Sequence, residues 1–198
     1  MLYPLIAALG MMALAAGPNT FPDLSLEELM GIETVTAAKR SQSVAEAPAH
    51  IIVITRELIE LRGYRNLRDV LEDLPGVEVQ RNSSPEYQDY YTIRGVSGNE
   101  KFIVLHDGFR MGAPTGTPHP IGHNFALTNV KRIEIMFGPG SALYGADAFS
   151  GVVNIVSVPG EEVGGLFADA SYGLFGTTDA SLVYGATYGD FSWAATAS

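Results

Sequence analysis

The chain has 198 residues, no cysteine and a formal net charge of −10 at pH 7. The missing cysteines exclude a disulfide framework, a thiolate metal site and a cysteine nucleophile. The acidic balance argues against nucleic-acid binding, which needs a clustered positive surface. A hydrophobic fraction of 46% with 22 Gly and 11 Pro is typical of a turn-rich protein that contains β-structure.

The chain begins with an uncharged apolar run that is too short for a comfortable transmembrane helix. Because Ala13-Leu14-Ala15 matches the small-x-small cleavage pattern, residues 1–16 are predicted to be a secretory signal peptide. No Lys or Arg precedes the run, so either the true start codon lies elsewhere or the terminal amine supplies the only positive charge. A buried N-terminal helix is the weaker alternative, since Gly17-Pro18-Asn19 breaks the chain at once.

Residues 17–44 are predicted to lie ahead of the folded domain. A short amphipathic helix is expected within residues 17–31, and Ile32–Ala38 is extended and β-prone. The polar stretch Lys39–Ser43 is interpreted as a linker.

The folded domain is predicted to begin with a strand and two helices. His50–Thr55 is the strand, and Arg56–Arg62 is a helix that Gly63 ends. Asn66 is predicted to cap the second helix, which Pro75-Gly76 terminates. Its apolar face consists of Leu67, Val70, Leu71 and Leu74.

Three more strands are predicted next, followed by a loop. The strands are Val77–Gln80, Tyr90–Arg94 and Phe102–Leu105, and His106-Asp107-Gly108 is a turn. Residues 112–124 are rich in Gly, Pro, Thr and His, which predicts a loop.

The domain is predicted to end in a strand, a glycine turn, one helical turn and a second strand. Alternation of Ile133, Ile135 and Phe137 with other residues predicts a half-buried strand. Ser141 can cap the short helical turn, and Gly145 can end it in a left-handed conformation. A β-branched run then predicts a buried strand, formed by Val152, Val153, Ile155, Val156 and Val158. Strands interleaved with short helices predict a small α+β domain over residues 45–158.

The pattern changes over residues 166–198, where apolar and small or polar residues alternate in strands of about ten residues. One apolar set is Leu166, Ala168, Ala170, Tyr172 and Leu174, and a second is Ala180, Leu182, Tyr184, Ala186 and Tyr188. This pattern is typical of transmembrane β-barrels, with a soluble antiparallel meander as the alternative. Three strands cannot close a barrel, since the smallest need about eight. The chain is therefore expected to be a fragment.

Five motifs occur in the order found in the plug domain of TonB-dependent outer-membrane receptors. The last, KRIEIMFGPGSALYGADAFSGVVNIVS at residues 131–157, closely resembles the end of that domain, "RIEVxRGPxSALYGxxAxGGVINIxT". The others are Ala47-Pro48 with Ile51–Thr55, LRDVLEDLPGV at residues 67–77, TIRG at residues 92–95 and VLHDGFR at residues 104–110. The resemblance implies an α+β plug domain followed by the first antiparallel strands of a truncated transmembrane β-barrel.

The same resemblance implies transport in the bacterial outer membrane rather than catalysis, with no cofactor and no resident metal. The ligand would be an iron–siderophore complex or a cobalamin, and energy would arrive through TonB and its inner-membrane complex. Outer-membrane lipid is the other expected partner, and nucleic acid is not one. The rival hypothesis is a stand-alone periplasmic plug-like binding or signalling module. An exported hydrolase is a third, for which no nucleophile and base are found together.

The segment Glu33, Thr34, Val35, Thr36 and Ala37 lies where the family keeps its TonB box and resembles it. An extended segment of this kind pairs edge-on with a sheet of its partner, and backbone hydrogen bonds supply the affinity. The alternative is an ordinary edge strand of the plug, or a linker.

Arg94 matches the arginine of the family's "IRG" motif, which faces acidic residues on the barrel wall and helps to hold the plug. A buried guanidinium–carboxylate lock is directional and strong, and an ordinary surface arginine is the alternative. The family often has a second arginine where this chain has Phe137. Phe137 is expected to pack against apolar groups instead.

His119 and His123 lie four residues apart in the predicted loop, where Pro118, Pro120 and Gly122 exclude a helix. A metal pair is therefore disfavoured. A solvated loop is the favoured interpretation, and contact with a ligand at the plug apex is the alternative.

Overall fold

The computed structural model describes residues 33–34, 36, 42–43, 49–82, 88–112, 121, 125–173, 178–189 and 191–197. The predicted signal peptide and the predicted helix of residues 17–31 lie outside the described residues, as do Val35, Ala37, His119 and His123. None of the helices in the described part of the chain is long and apolar enough to cross a membrane.

The described elements are mostly short strands. In chain order the strands are β1 Glu33–Thr34, β2 Gln42–Ser43, β3 His50–Thr55, β4 Val77–Gln80, β5 Tyr90–Ile93, β6 Val96–Ser97, β7 Phe102–His106, β8 Phe109–Arg110, β9 Val130–Phe137, β10 Gly151–Ser157, β11 Gly165–Tyr172, β12 Thr178–Tyr188 and β13 Phe191–Ala197. The α-helices are α1 Arg56–Arg62, α2 Leu67–Glu72, α3 Ser141–Tyr144 and α4 Gly160–Val163, and residues Asn99–Lys101 form a 3₁₀ turn.

A five-stranded mixed sheet organises the first domain, in the order β3-β9-β10-β7-β8. Strand β9 pairs antiparallel with both β3 and β10, and β10 pairs parallel with β7. Strands β4, β5 and β6 form a separate antiparallel sheet, and β1 pairs with β2. The predicted α+β architecture is confirmed.

The predicted Gly63 and Asn66 caps are confirmed, but the Thr55 cap was not predicted, and α2 ends at Glu72, three residues before the predicted stop at Pro75-Gly76. The Thr55 hydroxyl accepts a hydrogen bond from the Leu58 amide at the start of α1, and Gly63 ends it in the left-handed conformation. The Asn66 side chain accepts from the Asp69 amide at the start of α2. The apolar face of α2 packs on one face of the five-stranded sheet. The shared core includes Leu67, Val70, Leu71, Leu74, Ile133, Ile135, Phe137, Val153 and Ile155.

The prediction that β9 is half-buried is wrong, because Ile133 to Phe137 are all buried. The alternation of Ile133, Ile135 and Phe137 describes only the face that packs on the helices. The other face of the sheet has its own apolar cluster, made of Ile51, Ile103, Leu105, Met136, Ala148 and Val152. Both faces are therefore covered, and Glu134 is buried in the second face.

The glycine turn after β9 also differs in detail. Ser141 is the first residue of α3 and makes no capping bond to it; its hydroxyl instead donates to the Ala148 carbonyl at 3.2 Å. Gly145 ends α3 with φ 93° and ψ 176°, a positive φ with an extended ψ. This loop folds back on itself, so the Ser141 hydroxyl finds an acceptor across the loop and not in its own helical turn.

The C-terminal strands β11, β12 and β13 form a three-stranded antiparallel sheet, as predicted. Leu166 lies opposite Tyr184, and Ala186 lies opposite Trp193, so the apolar sets of the three strands share one face. That apolar face is largely exposed, and its large side chains are Leu166, Tyr172, Leu182, Tyr184, Tyr188, Phe191 and Trp193.

Helix α4 lies directly against the C-terminal sheet. A Cβ at Gly160 would lie 2.2 Å from the Trp193 carbonyl oxygen, and a Cβ at Gly185 would lie 2.5 Å from the Val163 Cβ. Only glycine at these two positions allows α4 and the C-terminal sheet to lie this close together. Lys131 of β9 pairs with Glu162 of α4, which adds an ionic contact between the first domain and this helix.

Candidate functional site

The predicted TonB-contacting segment meets the plug at a buried glutamate. Glu134 lies at the middle of β9, opposite Val53 of β3 and Asn154 of β10, and its side chain has no exposed surface. The Nε of Arg132 donates to Glu134 Oε1 at 2.9 Å. A buried carboxylate requires such donors, because its transfer from water is costly unless it is paired and hydrogen-bonded.

Thr36 supplies the donors for the other carboxylate oxygen. Its amide donates to Glu134 Oε2 at 3.0 Å, and its hydroxyl donates to the same oxygen at 2.6 Å. The Tyr144 hydroxyl in turn donates to the Thr36 carbonyl at 2.9 Å. Thr36 is fully buried by these contacts, although 98 residues separate it from Glu134.

Tyr144 is suited to its role as a donor. Burial, and then the negative charge of Glu134, raises the pKa of the Tyr144 phenol above its usual value. This shift favours the neutral phenol, whose hydroxyl donates a hydrogen bond to the Thr36 carbonyl.

Just before Thr36, the chain forms a small strand pair. Glu33 lies opposite Ser43, and Thr34 lies opposite Gln42. Of the five residues predicted to contact TonB, the structure thus has two in a short strand and one fixed on the plug. Sequence reasoning missed Glu134, whose signal was a single carboxylate between Ile133 and Ile135, in the half of β9 that is otherwise apolar.

Arg94 lies one residue beyond the end of β5, in a turn with φ 49°. Its amide donates to the Gly76 carbonyl at 2.7 Å, and its side chain is exposed. The guanidinium carbon lies 5.1 Å from the centroid of the Phe137 ring, which is the distance of a cation–π contact. Within the described residues, no carboxylate forms a salt bridge with Arg94.

Phe137 is therefore the platform on which Arg94 rests. The ring is buried on the helix-packing side of β9, and His50 contacts it edge-on with centroids 5.4 Å apart. The two positions at which the family often has arginines are thus in contact here, one as a cation and the other as an aromatic ring.

The turn after β7 brings a serine to a histidine, a contact that sequence reasoning did not foresee. Ser157 Oγ lies 2.8 Å from His106 Nε2, and Asp107 Oδ2 lies 3.9 Å from the same nitrogen. In a catalytic triad the carboxylate holds the opposite ring nitrogen. Asp107 Oδ1 instead accepts from the Ser157 amide, so the arrangement ties the turn to β10.

No group of three or more His, Asp or Glu side chains in the described ranges could hold a metal ion.

Residues 43–152 match the sequence profile of the TonB-dependent receptor plug domain. The chain belongs to this family. The match covers strands β3 to β9 and helices α1 to α3, and it ends at the second residue of β10.

Curated relatives of this plug domain include two proteins of Vibrio. The vitamin B12 transporter BtuB of Vibrio vulnificus is 35% identical over 128 residues, which is 64% of this chain and 20% of the relative. The iron-regulated outer membrane virulence protein of Vibrio cholerae is 39% identical over 129 residues, which is 62% of this chain and 19% of the relative. The chain thus spans about a fifth of the length of these relatives.

The fold is also that of a solved receptor. The siderophore receptor PiuA from Acinetobacter baumannii superposes with a TM-score of 0.64 at 23% identity, over 84% of this chain and 22% of that one. The predicted plug domain followed by antiparallel strands is thereby confirmed as the fold class.

Proposed function

We propose that this chain is the N-terminal part of an outer-membrane active transporter that takes up a scarce solute with energy delivered through TonB. The observation that carries the proposal is a plug domain followed directly by a sheet whose outward face is apolar. Residues 1–16 would be the signal peptide, residues 17–44 a periplasmic segment, residues 45–158 the plug and residues 166–198 the start of the barrel. The relatives, a vitamin B12 transporter and an iron-regulated outer-membrane protein, support this assignment.

The C-terminal sheet supports an outer-membrane location. Leu166 is 68% exposed and Tyr188 is 87% exposed on a face that also bears Phe191 and Trp193. Soluble monomers rarely expose a continuous apolar face of this kind, whereas barrel strands turn it to lipid with aromatic residues near the membrane interfaces. A stand-alone periplasmic module would leave the same face in water, so the transporter is favoured over that alternative.

TonB is the proposed periplasmic partner, and Glu33–Ala37 is its proposed contact. Strand β1 already has the extended backbone that strand addition requires. Its present partner β2 is only two residues long, so few hydrogen bonds must be exchanged to pair it with another chain.

Arg94 is the proposed link between the plug and the barrel wall. The exposed guanidinium, held over Phe137 at 5.1 Å, is available to carboxylates of a surrounding barrel. Phe137 stands where the family often has a second arginine, and its ring would orient the Arg94 guanidinium. Arg94 would then be the one arginine of the two that pairs with the barrel carboxylates.

The solute is proposed to be a ferric siderophore or a cobalamin, recognised on the external side. His119 and His123 belong to the loop that would face it. Transport by this family needs no catalytic group, and no enzymatic activity is proposed.

Uptake by the full-length receptor tests this function. Cells that express it as their sole receptor would be given radiolabelled ferric siderophores or radiolabelled cyanocobalamin, with and without TonB. Accumulation of one label that depends on TonB is expected. Accumulation that is independent of TonB, or outer-membrane fractions that lack the protein, would contradict the proposal.

A further inference from the structure

The five-stranded sheet does not itself need a carboxylate at the position of Glu134. Its neighbours across the sheet are Val53 and Asn154, and Met136 of the same face belongs to an apolar cluster. A carboxylate with no exposed surface at such a place is unfavourable unless donors surround it. Among the described residues, the Arg132 guanidinium donates to Oε1 and Thr36 donates to Oε2.

The two carboxylate oxygens of Glu134 receive their hydrogen bonds from different parts of the chain. Arg132 lies two residues away on the same strand, so its contact with Glu134 is independent of the N-terminal segment. Oxygen Oε2 receives both donors of Thr36, and these contacts exist only while the segment lies on the plug. If the segment left, water could replace Thr36 at Oε2, so the contact can break without leaving Glu134 unpaired.

Thr36 is held by each of its polar groups. Its amide and hydroxyl bind Glu134, and its carbonyl accepts from Tyr144. A partner that adds a strand to this segment and pairs through Thr36 needs the same backbone amide and carbonyl. Holding by the plug and strand pairing with a partner are therefore mutually exclusive at Thr36.

We propose that Glu134 is a positioning residue that, with Tyr144, holds the N-terminal segment against the plug at Thr36 and so keeps it from pairing with TonB. The inference deepens the proposed function, since it rests on Glu33–Ala37 being the TonB contact. Pairing with TonB then requires the contact between Thr36 and Glu134 to break first. A shift of β9 or α3 that separates Glu134 from Tyr144 would break it.

Hydrogen exchange in the full-length receptor, measured on a peptide that contains residues 33–36, tests the holding contact. Glu134→Gln removes the charge with little change of shape, and exchange of this peptide is expected to be about tenfold faster, since hydrogen bonds to charged acceptors are the strong ones. Thr36→Val removes the hydroxyl donor and should act in the same direction. Thr36→Ser keeps the hydroxyl and should behave as wild type.

Glu162→Gln is the matched control, because Glu162 is also a paired carboxylate but lies exposed on α4. It should leave exchange of residues 33–36 unchanged. In all variants β9 and β10 should exchange as in wild type, which separates release of the segment from unfolding of the sheet. Wild-type exchange of residues 33–36 in both Glu134→Gln and Thr36→Val would overturn the inference.

Binding of the purified periplasmic domain of TonB to the same variants separates the inference from the proposed function. Tighter binding to Glu134→Gln, together with faster exchange, supports both. Faster exchange with unchanged TonB binding supports the holding contact and contradicts the assignment of Glu33–Ala37 to TonB.

Discussion

Replacement of Arg94 by alanine distinguishes a plug–barrel lock from a surface arginine by the size of its effect. In this chain the Arg94 side chain contacts the Phe137 ring, and a cation–π contact at an exposed site is worth about 0.5–1 kcal/mol. If carboxylates of a barrel wall also pair with it, its loss leaves buried acids unpaired, at a cost of about 3–5 kcal/mol. The backbone adds nothing to the difference, because alanine at φ 49° is about as strained as arginine.

These energies predict distinct exchange rates over Thr92–Val96 in the full-length receptor. A tenfold change corresponds to about 1.4 kcal/mol, so a lock predicts exchange at least about a hundredfold faster, and a surface contact predicts less than about tenfold. The Arg94 amide itself donates to Gly76 and reports the loosening directly. A lock also predicts that a bulky antibiotic crosses the outer membrane more readily.

Arg110→Ala is the matched control, since Arg110 is an exposed arginine that pairs with Asp147 within the plug. It should leave exchange over Thr92–Val96 and antibiotic entry unchanged. If Arg94→Ala resembles this control in both measurements, Arg94 is a surface residue and the lock does not apply.

Three further predictions concern the partner contact, a helix cap and the contact between α4 and the C-terminal sheet. Val35→Pro should abolish uptake but leave ligand binding intact, because proline fixes φ and lacks an N–H and so disrupts strand pairing by the segment; unimpaired uptake of the labelled solute would count against Glu33–Ala37. Asn66→Ala should weaken the start of α2 by about 1 kcal/mol, seen as about fivefold faster exchange of the Asp69 amide, whereas an unchanged rate would mean that the cap contributes nothing. Gly185→Ala should separate α4 from β12, since the added Cβ lies 2.5 Å from Val163, with less folded receptor in the outer membrane; a normal yield would show that α4 adjusts.

Local sequence signals determined the elements of this chain. The helices at Arg56–Arg62 and Leu67–Glu72 were predicted with the Gly63 and Asn66 caps, because capping depends on residues a few positions apart. The C-terminal strands were predicted because alternation with a period of two is visible in the sequence itself. The family and the fold class followed from motifs that occur in one order, and the match over residues 43–152 confirmed them.

Tertiary structure alone decided which residues meet across the chain. Periodicity marks one face of β9 as apolar and says nothing of what covers the other, so Glu134 could be expected to face solvent. Its carboxylate accepts from Thr36, 98 residues earlier, and the carbonyl of Thr36 accepts in turn from Tyr144 of α3. The same holds for Arg94 and Phe137, which are distant along the chain, since only the tertiary fold brings the guanidinium from the turn after β5 over the ring of β9. Contacts of this kind are set by the path of the whole chain, which no local pattern records.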